Sequence, residues 1–217
     1  RIINKGVTES DIYRSVEMAL KAGIPNVRLY IMIGLPFETD DDIQDIVIMA
    51  KKTKHHMEQL GSNGKLTLSI NPFVPKPFTP FQWLPMEQKK TIELRLKQIQ
   101  NSLKNSKNIE VLFESTREAY VQAVLARGDR RLAKVLYECT VSGLGVKDWK
   151  RSLKMYGLDE DFYLYRERDL REVLPWKNID IGVSVDYLAA EFESAVQEAY
   201  TLPCFDNCTR CGVCNRQ

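Results

Sequence analysis

The chain has 217 residues, of which 44% are hydrophobic and 28% are charged, and its formal net charge is +2. This composition allows a buried core in one large or two small domains, and the near balance of charge gives no reason to expect nucleic acid or an anionic membrane as partner. No segment approaches the roughly 20 apolar residues that span a bilayer, and residues 1–5 are not followed by the apolar core of a signal peptide. We therefore expect a cytoplasmic protein with no membrane partner and no clear nucleic-acid surface.

The first part of the chain begins with a predicted helix and strand. Residues 8–22 show one apolar face at helical spacing, with Thr8 and Asp11 placed as in a capping box and Gly23 as the stop. The run from Val27 to Ile33 is apolar and β-branched, which is typical of a strand buried on both faces.

The same alternation continues to residue 114. Thr39 caps a second helix, residues 65–71 and 109–114 read as further strands, and a third helix is predicted over residues 86–103. Helical crossovers between strands imply a parallel sheet. The predicted fold class is α/β, with an open parallel sheet of about three strands or an arc of a (β/α) barrel, since three strands cannot close an eight-fold barrel.

After residue 114 the pattern becomes helical. We divide the chain into an α/β part at 1–114, a helical extension at 115–200 and a four-cysteine tail at 201–217. The basic run 127–131 is too short for a nucleic-acid patch and reads as a solvated helix junction. The helices predicted in the extension cover residues 115–126, 129–139, 146–155 and 185–199.

Four cysteines in the tail form the pattern C-x3-C-x2-C-x2-C: Cys204, Cys208, Cys211 and Cys214. Thiolates bind soft or borderline metals, and short spacings allow several to converge on one centre. The spacing predicts an iron–sulfur cluster, with tetrahedral zinc as the alternative and a metal-free tail as the third reading. Gly212 would allow the tight turn that such a wrap needs.

A second candidate site lies where the first strand ends, at Gly34-Leu35-Pro36-Phe37-Glu38. Ligands of parallel sheets bind at the carboxyl ends of strands, so Glu38 is placed at a ligand edge and Gly34 would admit a ligand to the backbone. The alternative is a plain strand-to-helix turn in which Glu38 caps the next helix. The three tryptophans read as packing residues, and Trp83 is also a candidate for lining a cavity.

Two long stretches contain predicted strands and the turns that follow them: Leu29 to Thr39, LYIMIGLPFET, and Leu68 to Trp83, LSINPFVPKPFTPFQW. They resemble consecutive barrel strands of radical SAM iron–sulfur enzymes, in a subgroup with a B12-binding-like domain ahead of the radical SAM domain. The segments ARGDRR, LPW, IDIGVS and CTRCGVC are similar to the carboxyl-terminal part of the subgroup, so the resemblance covers nearly the whole chain in order.

The resemblance implies that this chain is the carboxyl-terminal portion of a radical SAM enzyme. Its catalytic [4Fe–4S] cysteines are expected upstream of Arg1, and Gly34, Glu38, Asn71 and Phe73 would line the S-adenosylmethionine cavity. The intact protein would cleave S-adenosylmethionine reductively as an oxidoreductase-like enzyme, whereas this portion alone would be inactive. Cobalamin use and the substrate stay open, as does the reading of Cys204, Cys208 and Cys211 as the catalytic C-x3-C-x2-C.

The alternative function is an α/β binding module whose zinc knuckle recruits protein or RNA. A colourless protein carrying one zinc would favour it over the iron–sulfur enzyme. In either reading, the unpaired edge of an open sheet favours self-association.

Overall fold

A computed structural model describes residues 2–143 and 148–214. The chain divides into two compact units, which are described separately: residues 7–73 with 87–116, and residues 1–6 with 74–86 and 117–217. The first is called the sheet unit and the second the helical unit. Residues 74–86, called the Pro-rich connection, therefore group with the helical part of the chain.

The elements follow the order predicted from the sequence, with one helix added. That added helix is α7, and residues 146 and 147 of the third predicted extension helix lie outside the described residues. The bounds are α1 Glu9–Lys21, β1 Val27–Ile33, α2 Asp40–Gln59, β2 Leu66–Pro72, α3 Lys89–Leu103, β3 Ile109–Phe113, α4 Thr116–Arg127, α5 Leu132–Val141, α6 Trp149–Met155, α7 Glu160–Leu164 and α8 Val185–Val196.

The first two helices begin at capping boxes. At α1 the backbone N–H of Asp11 donates to the Thr8 hydroxyl at 3.2 Å, and the Asp11 carboxylate accepts from the Thr8 backbone N–H at 3.0 Å. Thr39 and Asp42 repeat this arrangement at the start of α2. Each box satisfies backbone donors that the first helical turn leaves free, which is why both starts could be placed from sequence.

The sheet is parallel and has the order β1-β2-β3. β1 and β2 run in register from Val27 opposite Leu66 to Ile33 opposite Pro72. The predicted α/β class with an open sheet of three parallel strands is therefore confirmed.

The core of the sheet unit lies on one face of the sheet. Ile33, Leu68 and Ile70 are fully buried there with apolar side chains of α1, α2 and α3. On the other face of β1, Tyr30 is 74% exposed and Met32 is 40% exposed, so the prediction that this strand is buried on both faces is wrong. In the described sheet unit the helices pack on one face only, and β1 shows the alternation of a half-buried edge strand.

The helical unit has its own core. Val74 and Met86, at the two ends of the Pro-rich connection, are buried with Ala123 of α4, Leu153 of α6 and Tyr163 of α7. The short helix α7 begins after its N-cap Asp159, whose side chain accepts from the backbone N–H of Asp161.

Within the described residues, no helix combines the length and apolarity needed to cross a bilayer.

Candidate functional site

The carboxyl ends of β1 and β2 lie side by side. Met32 is the register partner of Asn71, and the backbone N–H of Phe73 donates to the carbonyl of Ile33 at 2.8 Å. The backbone pairing therefore continues one residue past the end of β2 and reaches Ile33, the last residue of β1. Gly34 directly follows β1, Asn71 is the penultimate residue of β2, and Phe73 directly follows β2. Three of the four predicted cofactor-lining residues therefore lie at the ends of adjacent strands.

The fourth, Glu38, is buried in an ion pair that the sequence analysis missed. Its carboxylate accepts from Nη1 of Arg95 at 2.8 Å and from the backbone N–H of Gly34 at 2.7 Å. The Glu38 side chain is 4% exposed and the Arg95 side chain 9%, while Nη2 of Arg95 also donates to the Glu38 carbonyl at 2.9 Å. The carboxylate therefore fixes the turn after β1 rather than the start of α2.

Burial and pairing act in opposite directions on this carboxyl group. Desolvation raises the pKa of Glu38 above its ordinary value, and the hydrogen bond from Gly34 and the charge of Arg95 oppose that increase. The net effect is a raised pKa, because the side chain is almost completely removed from water. Arg95 could have been found from the sequence, since it interrupts the apolar face that Ile92, Leu96 and Ile99 form on α3.

Gly34 has a packing role at this turn. Its φ is +74°, and a Cβ atom there would overlap Cδ1 of Ile92 and lie 3.2 Å from Cβ of Glu87. The direction in which a side chain would extend is therefore filled by α3 and the residues before it. The glycine allows close packing of the turn on α3, where the sequence analysis expected room for a ligand.

Asn71 carries an unsatisfied polar atom at the end of β2. Its Oδ1 is buried and has no hydrogen-bond partner in the described structure. Buried side-chain oxygens are normally paired, and an unpaired one calls for an explanation such as a ligand. Asn71 projects from the end of the central strand on the same face as Met32, because the two are register partners.

The sheet face that holds Asn71 is only partly covered. Tyr30 and Leu112 flank Ser69 on this face, and they are 74% and 41% exposed. Large exposed apolar side chains grouped on one surface indicate contact with another molecule or segment.

The four tail cysteines differ in exposure. Cys208 is 3% exposed, Cys211 is partly buried, and Cys204 and Cys214 are exposed. Arg210 organises this segment: its Nε donates to Sγ of Cys208 at 3.2 Å, and its Nη2 donates to the carbonyls of Leu202 and Pro203 at 2.9 and 3.0 Å. The guanidinium group thus ties the chain before Cys204 to Cys208.

The thiols are close enough to influence one another. Neighbouring thiols, Cys208 first, raise the pKa of Cys204, whereas the hydrogen bond from Arg210 lowers the pKa of Cys208 to about 7. Within residues 2–143 and 148–214, however, no three His, Cys, Asp or Glu side chains form a group able to hold a metal ion. The soft donor set fits a metal, while the thiols in this arrangement do not converge on one centre.

The tail rests on the segment before α8. The backbone N–H of Ser184 donates to the carbonyl of Cys211 at 2.9 Å. Gly212 has a φ of +90° and packs against the carbonyl of Gly182, which agrees with the tight turn predicted at this glycine. The cysteine segment is therefore anchored in the middle by backbone contacts.

Arg127 corrects the interpretation of the basic run as a solvated junction. This residue is 1% exposed, and its guanidinium donates to the carbonyls of Tyr163 and Arg166, both at 2.6 Å, and to that of Leu84. Burial, and then the charge of Arg168, lower the pKa of Arg127 to about 10. It binds segments of the helical unit together, and a basic patch is not its role.

One relative among curated proteins is an uncharacterised protein of the archaeon Methanocaldococcus jannaschii. It is 36% identical over 136 residues, an alignment that covers 62% of this chain and 28% of the relative. The chain thus spans much less than two thirds of the relative's length. No family model matches the chain, and no solved structure matches it significantly.

Proposed function

We propose that this chain is the carboxyl-terminal portion of a radical SAM iron–sulfur enzyme. The observation that carries the proposal is the parallel pairing of β1 with β2, which sets Met32 beside Asn71 at adjoining carboxyl ends. These are the strands whose sequences resemble consecutive barrel strands of that family, and ligands of such sheets bind at this edge. The partly covered sheet face supports the proposal, since further strands of a barrel would cover it.

In this proposal the strand ends hold S-adenosylmethionine. Asn71 offers the unpaired Oδ1 as an acceptor, and Phe73 extends the same edge. Glu38 acts as a positioning residue: it holds the N–H of Gly34 and receives Arg95, so the turn keeps its shape beside the ligand. When bound, S-adenosylmethionine and a reduced [4Fe–4S] cluster would supply one-electron cleavage chemistry.

The tail cysteines Cys204, Cys208, Cys211 and Cys214 would hold an additional iron–sulfur cluster or a zinc ion. Arg210 supports this because it favours the thiolate of Cys208, which is the form that binds metal. The exposed Cys204 and Cys214 are the thiols that would move to complete the centre around Cys208.

The first test compares this chain with the longer protein that contains it, both under dithionite and without oxygen. We expect 5′-deoxyadenosine from the longer protein and none from this chain alone. In the longer protein, Asn71→Ala should raise the KM for S-adenosylmethionine about tenfold through loss of a buried acceptor contact. Asn101→Ala, at an exposed position of α3, is the matched control. Absence of 5′-deoxyadenosine from the longer protein would refute the proposal.

The second test measures iron and zinc after anaerobic reconstitution of the chain. A brown protein with iron supports the cluster, and any one of the four tail Cys→Ala variants should lose most of it. Cys139→Ala is the control, since Cys139 lies in α5 and its Sγ contacts Oγ of Ser152 at 3.6 Å. A colourless protein with one zinc supports the zinc alternative for the tail, which the binding module requires, and a chain without either metal contradicts both metal-binding interpretations of the tail.

A further inference from the structure

The helical unit contains a cavity whose lining includes none of the strand-end residues and none of the tail cysteines described above. Its volume is about 460 Å³, which lies within the range of small-molecule sites. The cavity is lined by the segment that precedes α8, by the first turn of α8 and by the end of the Pro-rich connection. Its lining includes Trp83, Arg171, Val173, Trp176, Lys177 and Leu188.

The two tryptophans that line the cavity differ in their hydrogen bonding. The indole N–H of Trp176 donates to Oε1 of Gln82 at 2.7 Å, so it is satisfied. Trp83 is 1% exposed, and its indole N–H has no acceptor in the described structure. A buried indole donor normally finds a partner, so the cavity wall carries an unused donor.

The charged side chains that line the cavity balance one another, and the excess positive charge beside it comes from the buried Arg168. Arg171 and Lys177 line it, and the buried guanidinium of Arg168 lies 5.1 Å from the ring centroid of Trp176 with Nε and Nη1 unpartnered. The lining carboxylate of Glu172 is neutralised by a bidentate pair with Arg166 at 2.7 Å. Asp180 and Asp186 also line the cavity, and Asp180 accepts from the backbone N–H of Gly182.

The apolar part of the wall suits a flat ligand. Trp83, Leu174, Trp176 and Leu188 form a buried cluster here. Aromatic walls stack on planar groups, and a few polar groups then fix the orientation.

We propose that this cavity binds a small organic anion with a flat apolar body, which stacks in the tryptophan-lined cluster and accepts a hydrogen bond from Trp83. The site does not depend on the proposed radical SAM function, because all of its residues belong to the helical unit. It adds a small-molecule site that uses none of the strand-end residues and none of the tail cysteines.

The test is a fluorescence titration of the chain with 8-anilinonaphthalene-1-sulfonate, a flat aromatic anion. We expect saturable binding at one site, with weaker binding of the uncharged N-phenyl-1-naphthylamine. Trp83→Phe keeps the ring and removes the donor, so it should weaken binding about fivefold. Trp149→Phe is the matched control, because Trp149 has an equally buried, unpartnered N–H but does not line the cavity.

A second pair of variants tests the charge without disturbing the core. Val173 is 70% exposed and lines the cavity, so Val173→Glu and Val173→Gln should both fold. Val173→Glu should weaken binding of the sulfonate severalfold relative to Val173→Gln, because the introduced carboxylate repels the anion. Circular dichroism and thermal melting check that each variant is folded.

The proposal is overturned by any of three results. These are the absence of saturable sulfonate binding, equal effects of Trp83→Phe and Trp149→Phe in folded proteins, and equal binding by the two Val173 variants.

Discussion

At the scale of single residues, the pair of Glu38 and Arg95 decides how the edge of the sheet is built. Both side chains are nearly buried, and the carboxylate also receives the backbone N–H of Gly34. A buried ion pair stabilises little relative to an apolar pair, but removal of one partner leaves an uncompensated charge. The function of this pair is therefore to fix one geometry of the turn after β1.

We predict that Arg95→Met lowers the free energy of unfolding by about 3 kcal/mol, because it leaves the Glu38 carboxylate buried and unpaired. Urea unfolding measures the change. The double variant Glu38→Gln with Arg95→Met should lose less unfolding free energy than Arg95→Met alone, since no charge is left unpaired. A double variant less stable than Arg95→Met would contradict this account.

The raised pKa of Glu38 predicts a pH dependence of stability. A folded-state pKa above the ordinary value of 4.5 means that the folded protein holds a proton that the unfolded chain releases. The stabilising contribution of Glu38 is therefore complete below pH 4.5 and is lost as the pH rises through the folded-state pKa. Relative to Glu38→Gln, the wild-type protein should lose stability as the pH rises above 4.5, measured by urea unfolding at successive pH values. A relative gain over this interval would show that the pKa is lowered.

Arg127 has the corresponding structural role in the helical unit. We predict that Arg127→Lys lowers the free energy of unfolding by about 2 kcal/mol, because a single ammonium group cannot serve the carbonyls of Leu84, Tyr163 and Arg166 together. The control is Arg130→Lys in the same basic run, at an exposed position. Equal stability of the two variants in urea would refute the role given to Arg127.

At the scale of elements, the turn between β1 and α2 is fixed at its glycine by packing. Gly34 has a positive φ, and α3 fills the space beside it with Ile92. The capping box of Thr39 and Asp42 then starts α2 five residues later. The turn and the helix that follow β1 are thus specified by different interactions, and both interactions favour the same path of the chain.

We predict that Gly34→Ala destabilises the chain by about 2 kcal/mol, from the cost of a positive φ together with the overlap on Ile92. Ile92→Val removes the overlapping Cδ1 atom, so the double variant should recover the steric part of that loss. Thermal unfolding of the single and double variants measures both effects. Strictly additive losses would show that the overlap contributes nothing.

At the scale of the whole molecule, the sheet has an open edge. β1 pairs with β2 and lies at the end of the described strand order, so its other edge has unpaired backbone groups. Tyr30 and Met32 expose apolar surface beside that edge. An open strand with apolar neighbours is a template for pairing with another chain.

We predict that this chain self-associates through the β1 edge. The double variant Tyr30→Lys with Met32→Lys should weaken association about tenfold, because like charges would face each other across the paired edges. Sedimentation equilibrium measures the association constant. The matched control places lysines at Met18 and Leu94, which are exposed on helices. Equal weakening by both double variants would exclude the sheet edge as the contact.

Much of the fold was predictable because its causes are local. The capping boxes at Thr8 and Thr39 and the apolar run from Val27 to Ile33 each mark an element in a few neighbouring residues. The short helix α7 was missed because five residues are too few to show a helical period. The exposure of Tyr30 was also missed, since a run of apolar letters does not say which face the helices cover.

What the sequence by itself determined was the order of the elements, the parallel α/β class and the residue types gathered in the cysteine tail. Only the tertiary structure decided that Glu38 is held by Arg95, 57 positions away, that Arg127 is buried, and that Trp83 lines a cavity with an unused donor. The physical reason is the separation along the sequence of the residues that interact. Caps and periodic apolar faces depend on neighbours within a few residues, whereas the pairing of a buried charge or donor depends on whichever distant segment the fold brings against it.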